Sequence, residues 1–144
     1  DGNVLTLNQE TMEFGYRSSV LRDRPYVVTE VCMKLEKGVR EEIADRMNDL
    51  ASRRREKQPL EYASAGSTFK RPEGNFAGKL IMESGLAGAR VGGAKVSEKH
   101  CGFVINDGTA TAADVAALIR KVVDNVKERS GIRLEPEVIF LGDF

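Results

Sequence analysis

The sequence predicts an α+β fold on three observations. Residues 26–36 alternate in the manner of a half-buried strand, and two later segments carry apolar residues at helical spacing. Strands and helices also follow one another without the regular β-α repeat that builds a doubly wound parallel sheet. A mixed or antiparallel sheet with two main helices is expected.

Residues 4–7 read as a short strand, and Phe14-Gly15-Tyr16-Arg17-Ser18-Ser19 as a loop between strands, a place where function often resides. In 26–36, Val27, Thr29, Val31, Met33 and Leu35 share one face, while Val28, Glu30, Cys32, Lys34 and Glu36 share the other. Gly38 opens a helical pattern with Val39, Ile43, Met47, Leu50 and Ala51 on one side, stopped by Pro59. Its last turn is the basic run Arg53-Arg54-Arg55-Glu56-Lys57. Cations there complement the helix dipole, so the run reads as a solvated helix end rather than a nucleic-acid patch. Lys57 is the member best placed to reach a ligand.

Phe76, Ala77, Leu80 and Ile81 indicate a short helix closed by Gly85, and 102–106 a short buried strand followed by an Asp107-Gly108 turn. A second main helix starts at Thr111, whose hydroxyl can form a capping box with Asp114. It shows Val115, Leu118, Ile119, Val122 and Val126 on one face and ends at Gly131. Residues 132–142 read as extended chain interrupted by Pro136.

A chain of 144 residues can bury one proper core. The 22 cations balance 22 anions, so no global field recruits nucleic acid or an anionic membrane. No apolar run approaches the roughly 20 residues of a membrane span, and the first residues lack the features of a signal peptide. Cys32, Cys101 and the lone His100 are too few for a disulfide framework or a zinc set, which fits a reducing cytoplasm. Composition shifts near 36–38, dividing a strand-rich start, 1–36, from the rest, 37–144. About 36 residues is too short to fold alone, so the first part reads as the end of a larger domain.

The stretch Ser64-Ala65-Gly66-Ser67-Thr68-Phe69-Lys70-Arg71-Pro72 combines a small-residue turn, a hydroxyl and two cations. Gly66 lacks a Cβ, so a turn there can present Ser67 into a cleft beside an anion site made by Lys70 and Arg71. A hydrogen-bonded loop serine is the competing reading, and these residues alone leave both open. Arg17 reads equally as an anion contact or an ion-pair partner, and Glu137 as a surface acid on a strand. The glycines at 85, 88, 92 and 93 do not make a nucleotide loop, because Gly93 is followed by Ala94 where such a loop needs Lys and a hydroxyl.

Tyr16-Arg17-Ser18-Ser19, Lys57-Gln58-Pro59, residues 64–72, Ala77-Gly78-Lys79-Leu80-Ile81, Gly92-Gly93-Ala94-Lys95-Val96-Ser97, Asn106 and Leu134-Glu135-Pro136-Glu137-Val138 together resemble the UDP-N-acetylenolpyruvoylglucosamine reductase family, flavoenzymes of peptidoglycan synthesis. The resemblance runs from about residue 14 to 142. It implies NADPH as reductant, FAD as cofactor and UDP-N-acetylglucosamine enolpyruvate as substrate. It further implies that a preceding FAD-binding region lies outside this chain, that 1–36 are the last strands of that flavin domain, and that 37–144 are the substrate domain. The isolated chain is then expected to be colourless and inactive, or a UDP-sugar or protein binding module. The short interval from Ser19 to Lys57 matches the family type without an extra tyrosine loop. By resemblance, Ser67 matches the proton donor, Arg17 the arginine gripping the enolpyruvyl carboxylate, Glu137 a glutamate near it, and Lys57 a diphosphate contact. Tyr16, Gly66, Lys70 and Arg71 fall on the substrate side. Arg71 departs from the asparagine many relatives carry. His100 lies in a substrate-side loop, with a structural role equally open.

Overall fold

The structure is a computed structural model that describes residues 2–16 and 18–142. Its elements are α1 (Arg40–Lys57), β1 (Ala63–Ser67), α2 (Ala77–Glu83), β2 (Arg90–Val91), β3 (Ala94–Val96), β4 (Phe103–Asn106) and α3 (Ala112–Ser130), with a 3-10 turn at Val20–Arg22. The chain divides into two compact units, Asp1–Gly38 and Val39–Phe144. The α+β class stands.

In the first unit, Asn8 and Thr11 close a turn on each other, the Asn8 carboxamide oxygen accepting from the Thr11 backbone N–H at 2.9 Å. The Ser19 hydroxyl caps the 3-10 turn, accepting from Leu21 N–H. Neither strand expected at 4–7 and 26–36 forms among the described residues. Alternation marks two faces, but a strand also needs a neighbouring edge for its N–H and C=O groups, and none pairs with these segments here. Val27 and Leu35 accordingly stand 87% and 80% exposed.

In the second unit four strands form one antiparallel sheet in the order β1-β4-β3-β2. Helix α3 supplies most of its cover. Thr111 and Asp114 form the expected capping box, and Gly131 ends the helix in the left-handed conformation. Between them Ala116, Leu118, Ile119, Val122, Val123 and Val126 are buried. They pack in one cluster with Leu80 and Ile81 of α2, Ala94 and Val96 of β3, Val104 of β4 and Leu134. Each fully buried aliphatic side chain contributes about 1.5–3 kcal/mol relative to exposure, so this cluster dominates the stability of the unit.

The glycine-rich segment proves to be the β2–β3 hairpin. Arg90 pairs with Lys95 and Val91 with Ala94, leaving Gly92-Gly93 as a two-residue loop. A Cβ on Gly93 would lie 2.3 Å from the Ala110 backbone nitrogen, so the loop packs under the entrance to α3 only because that atom is missing.

Helix α1 has the expected extent, with Glu41 and Glu42 in its first turn and Arg54, Arg55 and Lys57 in its last. None of its residues is buried, and Ile43, Met47 and Leu50 stand about half exposed or more.

Candidate functional site

The stretch read as a small-residue turn is instead an edge strand with a fault in it. Ala63 pairs with Asn106 and Ser64 with Ile105, but the next pair is Ser67 with Phe103, so β1 carries one residue more than β4 over this interval. This is a β-bulge. Gly66 sits at its centre with φ +83°, a backbone angle that a Cβ disfavours. Ser67 leaves the bulge exposed.

Thr68, the next residue, is buried. Its N–H donates to the Gly102 carbonyl at 2.8 Å, its hydroxyl oxygen accepts from Val104 N–H at 2.9 Å, and its carbonyl accepts from Glu137 N–H at 2.9 Å. Two residues on, Lys70 N–H donates to the Glu135 carbonyl at 2.8 Å, and Phe69 bridges to Pro136. The tail at 135–137 therefore runs antiparallel along 68–70 as a strap. It brings Glu137, half-buried, to the residue beside Ser67. Extended chain broken by Pro136 was the expectation for this tail, and the proline indeed takes the position where no N–H is required.

The other candidates take different surroundings. The Lys70 ammonium is paired with the Glu135 carboxylate across the strap. The Arg71 guanidinium lies 4.1 Å from the centre of the Phe76 ring, and its Nε donates to the Asn75 carbonyl at 3.3 Å. His100 Nδ1 accepts from Gly102 N–H at 3.1 Å, while its ring meets Phe103 edge-on at 5.0 Å. That geometry is a structural tie: the acceptor nitrogen fixes the turn that feeds β4. Lys57 is the exposed last residue of α1. Tyr16 belongs to the first unit, where it stands 88% exposed beside the backbone pair Gly15–Ser18. Arg17 lies outside the described residues.

Around β4 the charges are held in local pairs. Lys99 reaches Glu61 at 3.4 Å; the backbone N–H of Glu61 and then Lys99 keep that carboxyl below its ordinary range. Lys95 holds Glu98 at 2.8 Å and lowers its carboxyl likewise. Cys101 is a buried member of the core cluster, and burial raises its thiol above the ordinary range. No group of three or more His, Cys, Asp or Glu side chains among the described residues could hold a metal ion.

Sequence reasoning singled out neither Thr68 nor Glu135 by itself. The available signal was the alternation Ser67-Thr68-Phe69-Lys70, which puts a β-branched hydroxyl on the face opposite Ser67.

A glycine bulge on a sheet edge, an exposed serine hydroxyl leaving it and a tail strapped along the next residues characterise this small α+β domain. Residues 58–141 match the family model of the UDP-N-acetylenolpyruvoylglucosamine reductase C-terminal domain. The chain is 57% identical over 143 residues to the UDP-N-acetylenolpyruvoylglucosamine reductase of Lachnoclostridium phytofermentans, covering 99% of this chain and 46% of that protein. Identity to the protein of the same name from Clostridium kluyveri is 55% over 142 residues, with 99% and 47% covered. The crystal structure of UDP-N-acetylenolpyruvylglucosamine reductase from Thermus caldophilus superposes with a TM-score of 0.72 at 41% identity, covering 89% of this chain and 45% of that one. This chain belongs to the UDP-N-acetylenolpyruvoylglucosamine reductase C-terminal domain family. It spans about half the length of the curated relatives it matches.

Proposed function

We propose that this chain is the carboxy-terminal part of a cytoplasmic UDP-N-acetylenolpyruvoylglucosamine reductase, which converts UDP-N-acetylglucosamine enolpyruvate to UDP-N-acetylmuramate for peptidoglycan synthesis. The observation that supports the reading is the tail strap, whose Glu137 N–H bonds Thr68, the residue that follows the exposed Ser67, in a chain of this family. No helix among the described residues is long and apolar enough to cross a membrane.

The described residues of the first unit do not by themselves fit a flavin: they offer loops, a short turn and a segment with exposed apolar side chains, without a closed apolar wall for a large planar ring. In this reading residues 1–36 complete a FAD-binding domain supplied by the other half of the longer protein, and 37–144 hold the substrate. In the complete protein, a flavin held by that domain would supply the hydride chemistry, with NADPH as its reductant.

The work of this chain is on the substrate. Hydride addition to one carbon of the enol ether drives electron density onto its neighbour and into the adjacent carboxylate. Ser67 Oγ donates the proton that this carbon requires. A serine hydroxyl is a weak acid, but a dienolate is a strong base, and fixed proximity makes the transfer efficient. By resemblance to the family, Arg17 is assigned to the carboxylate through its planar fork, and Glu137 is the glutamate assigned to the same group. By the same resemblance, Lys57 is assigned to the diphosphate and Lys70, Arg71 and Gly66 to the substrate side. His100 keeps its structural tie.

In the complete flavin-loaded enzyme, Ser67→Ala is expected to leave flavin reduction by NADPH at its normal rate and to slow flavin reoxidation by the enolpyruvyl substrate at least 100-fold, an effect at the lower end of general acid catalysis. Stopped-flow absorbance at the flavin band reads both half-reactions. Normal reoxidation would remove Ser67 as donor.

A further inference from the structure

At the β1 bulge the ladder falls out of step, and there the N–H of Val104 donates to the Thr68 hydroxyl at 2.9 Å, in a place where both residues are buried. A buried N–H left without a partner is strongly unfavourable, so the bulged arrangement depends on this side-chain acceptor. The same residue bonds Gly102, just before β4, through its N–H, and the tail strap through its carbonyl. Three bonds therefore fix the residue that follows Ser67 and makes the first strap contact.

The consequence concerns which way Ser67 points. Side chains alternate across a strand, so if the bulge were absorbed and the pairing slipped by one residue, Ser67 would turn to the opposite face of the sheet. We propose that Thr68 is a positioning residue: its hydroxyl takes the Val104 N–H at the bulge, locks the bulge in register and so holds Ser67 and the tail strap in their working relation. This rests on the reading of Ser67 as proton donor given above. Gly66 permits the bulge through its backbone angle, and Thr68 holds it there.

The test uses the complete flavin-loaded enzyme with UDP-N-acetylglucosamine enolpyruvate. Thr68→Val keeps the branched shape and removes the acceptor. It is expected to slow flavin reoxidation at saturating substrate at least tenfold, with KM changed less than threefold and NADPH-driven flavin reduction unaltered. Thr68→Ser restores the acceptor and is expected to recover reoxidation to within threefold of the parent. A parent-like rate in Thr68→Val overturns the proposal, as does a tenfold loss in Thr68→Ser, which would assign the effect to the lost methyl. Should Thr68→Val not fold, the serine variant still decides the matter. Ser67→Ala in the same assay separates the two levels. Normal reoxidation there removes the donor reading and this proposal with it, whereas loss in Ser67→Ala without loss in Thr68→Val removes only the role of Thr68.

Discussion

Helices α1 and α3 are nearly the same length, 18 and 19 residues, yet they are held in different ways. Helix α3 opens with a capping box, closes on a left-handed glycine and buries six residues against the sheet. Helix α1 opens at Val39 without a side-chain cap, runs out through Gln58 in extended conformation and buries none. Its support is local: charges arranged along the dipole and an Arg53–Asp49 pair at 2.8 Å. Exposed pairs of that kind contribute only about 0.3–0.5 kcal/mol each. Helical periodicity is thus common to both, while tertiary stabilisation belongs to one.

The largest test of that contrast is a pair of leucine truncations in this chain. Leu118→Ala, at a position with no exposure, is expected to lower unfolding stability by about 2–5 kcal/mol, as cavity formation does in a tight core. Leu50→Ala, at 53% exposure, should stay within about 0.5 kcal/mol. Urea denaturation followed by circular dichroism measures both, and a cost above 1 kcal/mol at Leu50 would show that α1 is packed in solution.

A smaller effect is expected at the cap. Thr111→Ala removes the side-chain acceptor for Asp114 N–H and should cost about 1 kcal/mol by the same measurement. Because α1 has no such cap, Val39→Ala should change little.

The smallest effect is a dependence on pH. The Thr111 backbone N–H, then its hydroxyl, hold the Asp114 carboxyl below its ordinary range in the folded chain. Such a group stabilises the fold above its unfolded pKa of about 4 and loses that contribution as pH falls through the lower folded value. Urea midpoints at pH 7 and pH 3 should therefore move further apart in the parent chain than in Thr111→Ala, where the reciprocal box is broken. Equal shifts would mean that the other lowered carboxyls, on Glu61, Glu98 and Asp107, account for all of the acid sensitivity.

Some features of the site were legible and others were not. The need for glycine at 66 follows from its chemistry, and φ +83° is the angle that uses it. The strand around it was not legible, because Ala, Ser and Gly have weak strand preference and read as a turn. Of the cations near Ser67, Lys70 pairs with Glu135 and Arg71 lies over Phe76, arrangements that adjacency in sequence does not reveal. Gly92-Gly93 carried a hairpin signal that was obscured by its likeness to a phosphate loop.

By itself the sequence determined the local elements: the limits of both long helices, the Thr111–Asp114 box, the Gly131 stop and the short strand before Asp107. These depend on contacts within a few residues, where spacing and side-chain type suffice. Only the tertiary structure decided that α1 buries nothing, that residues 26–36 find no sheet partner, and that the tail returns to strap Thr68 and bond it through Glu137 N–H. Burial, strand pairing and bulge register each require a second segment from elsewhere in the chain. A residue pattern can prepare one side of such a contact, but it cannot name the other.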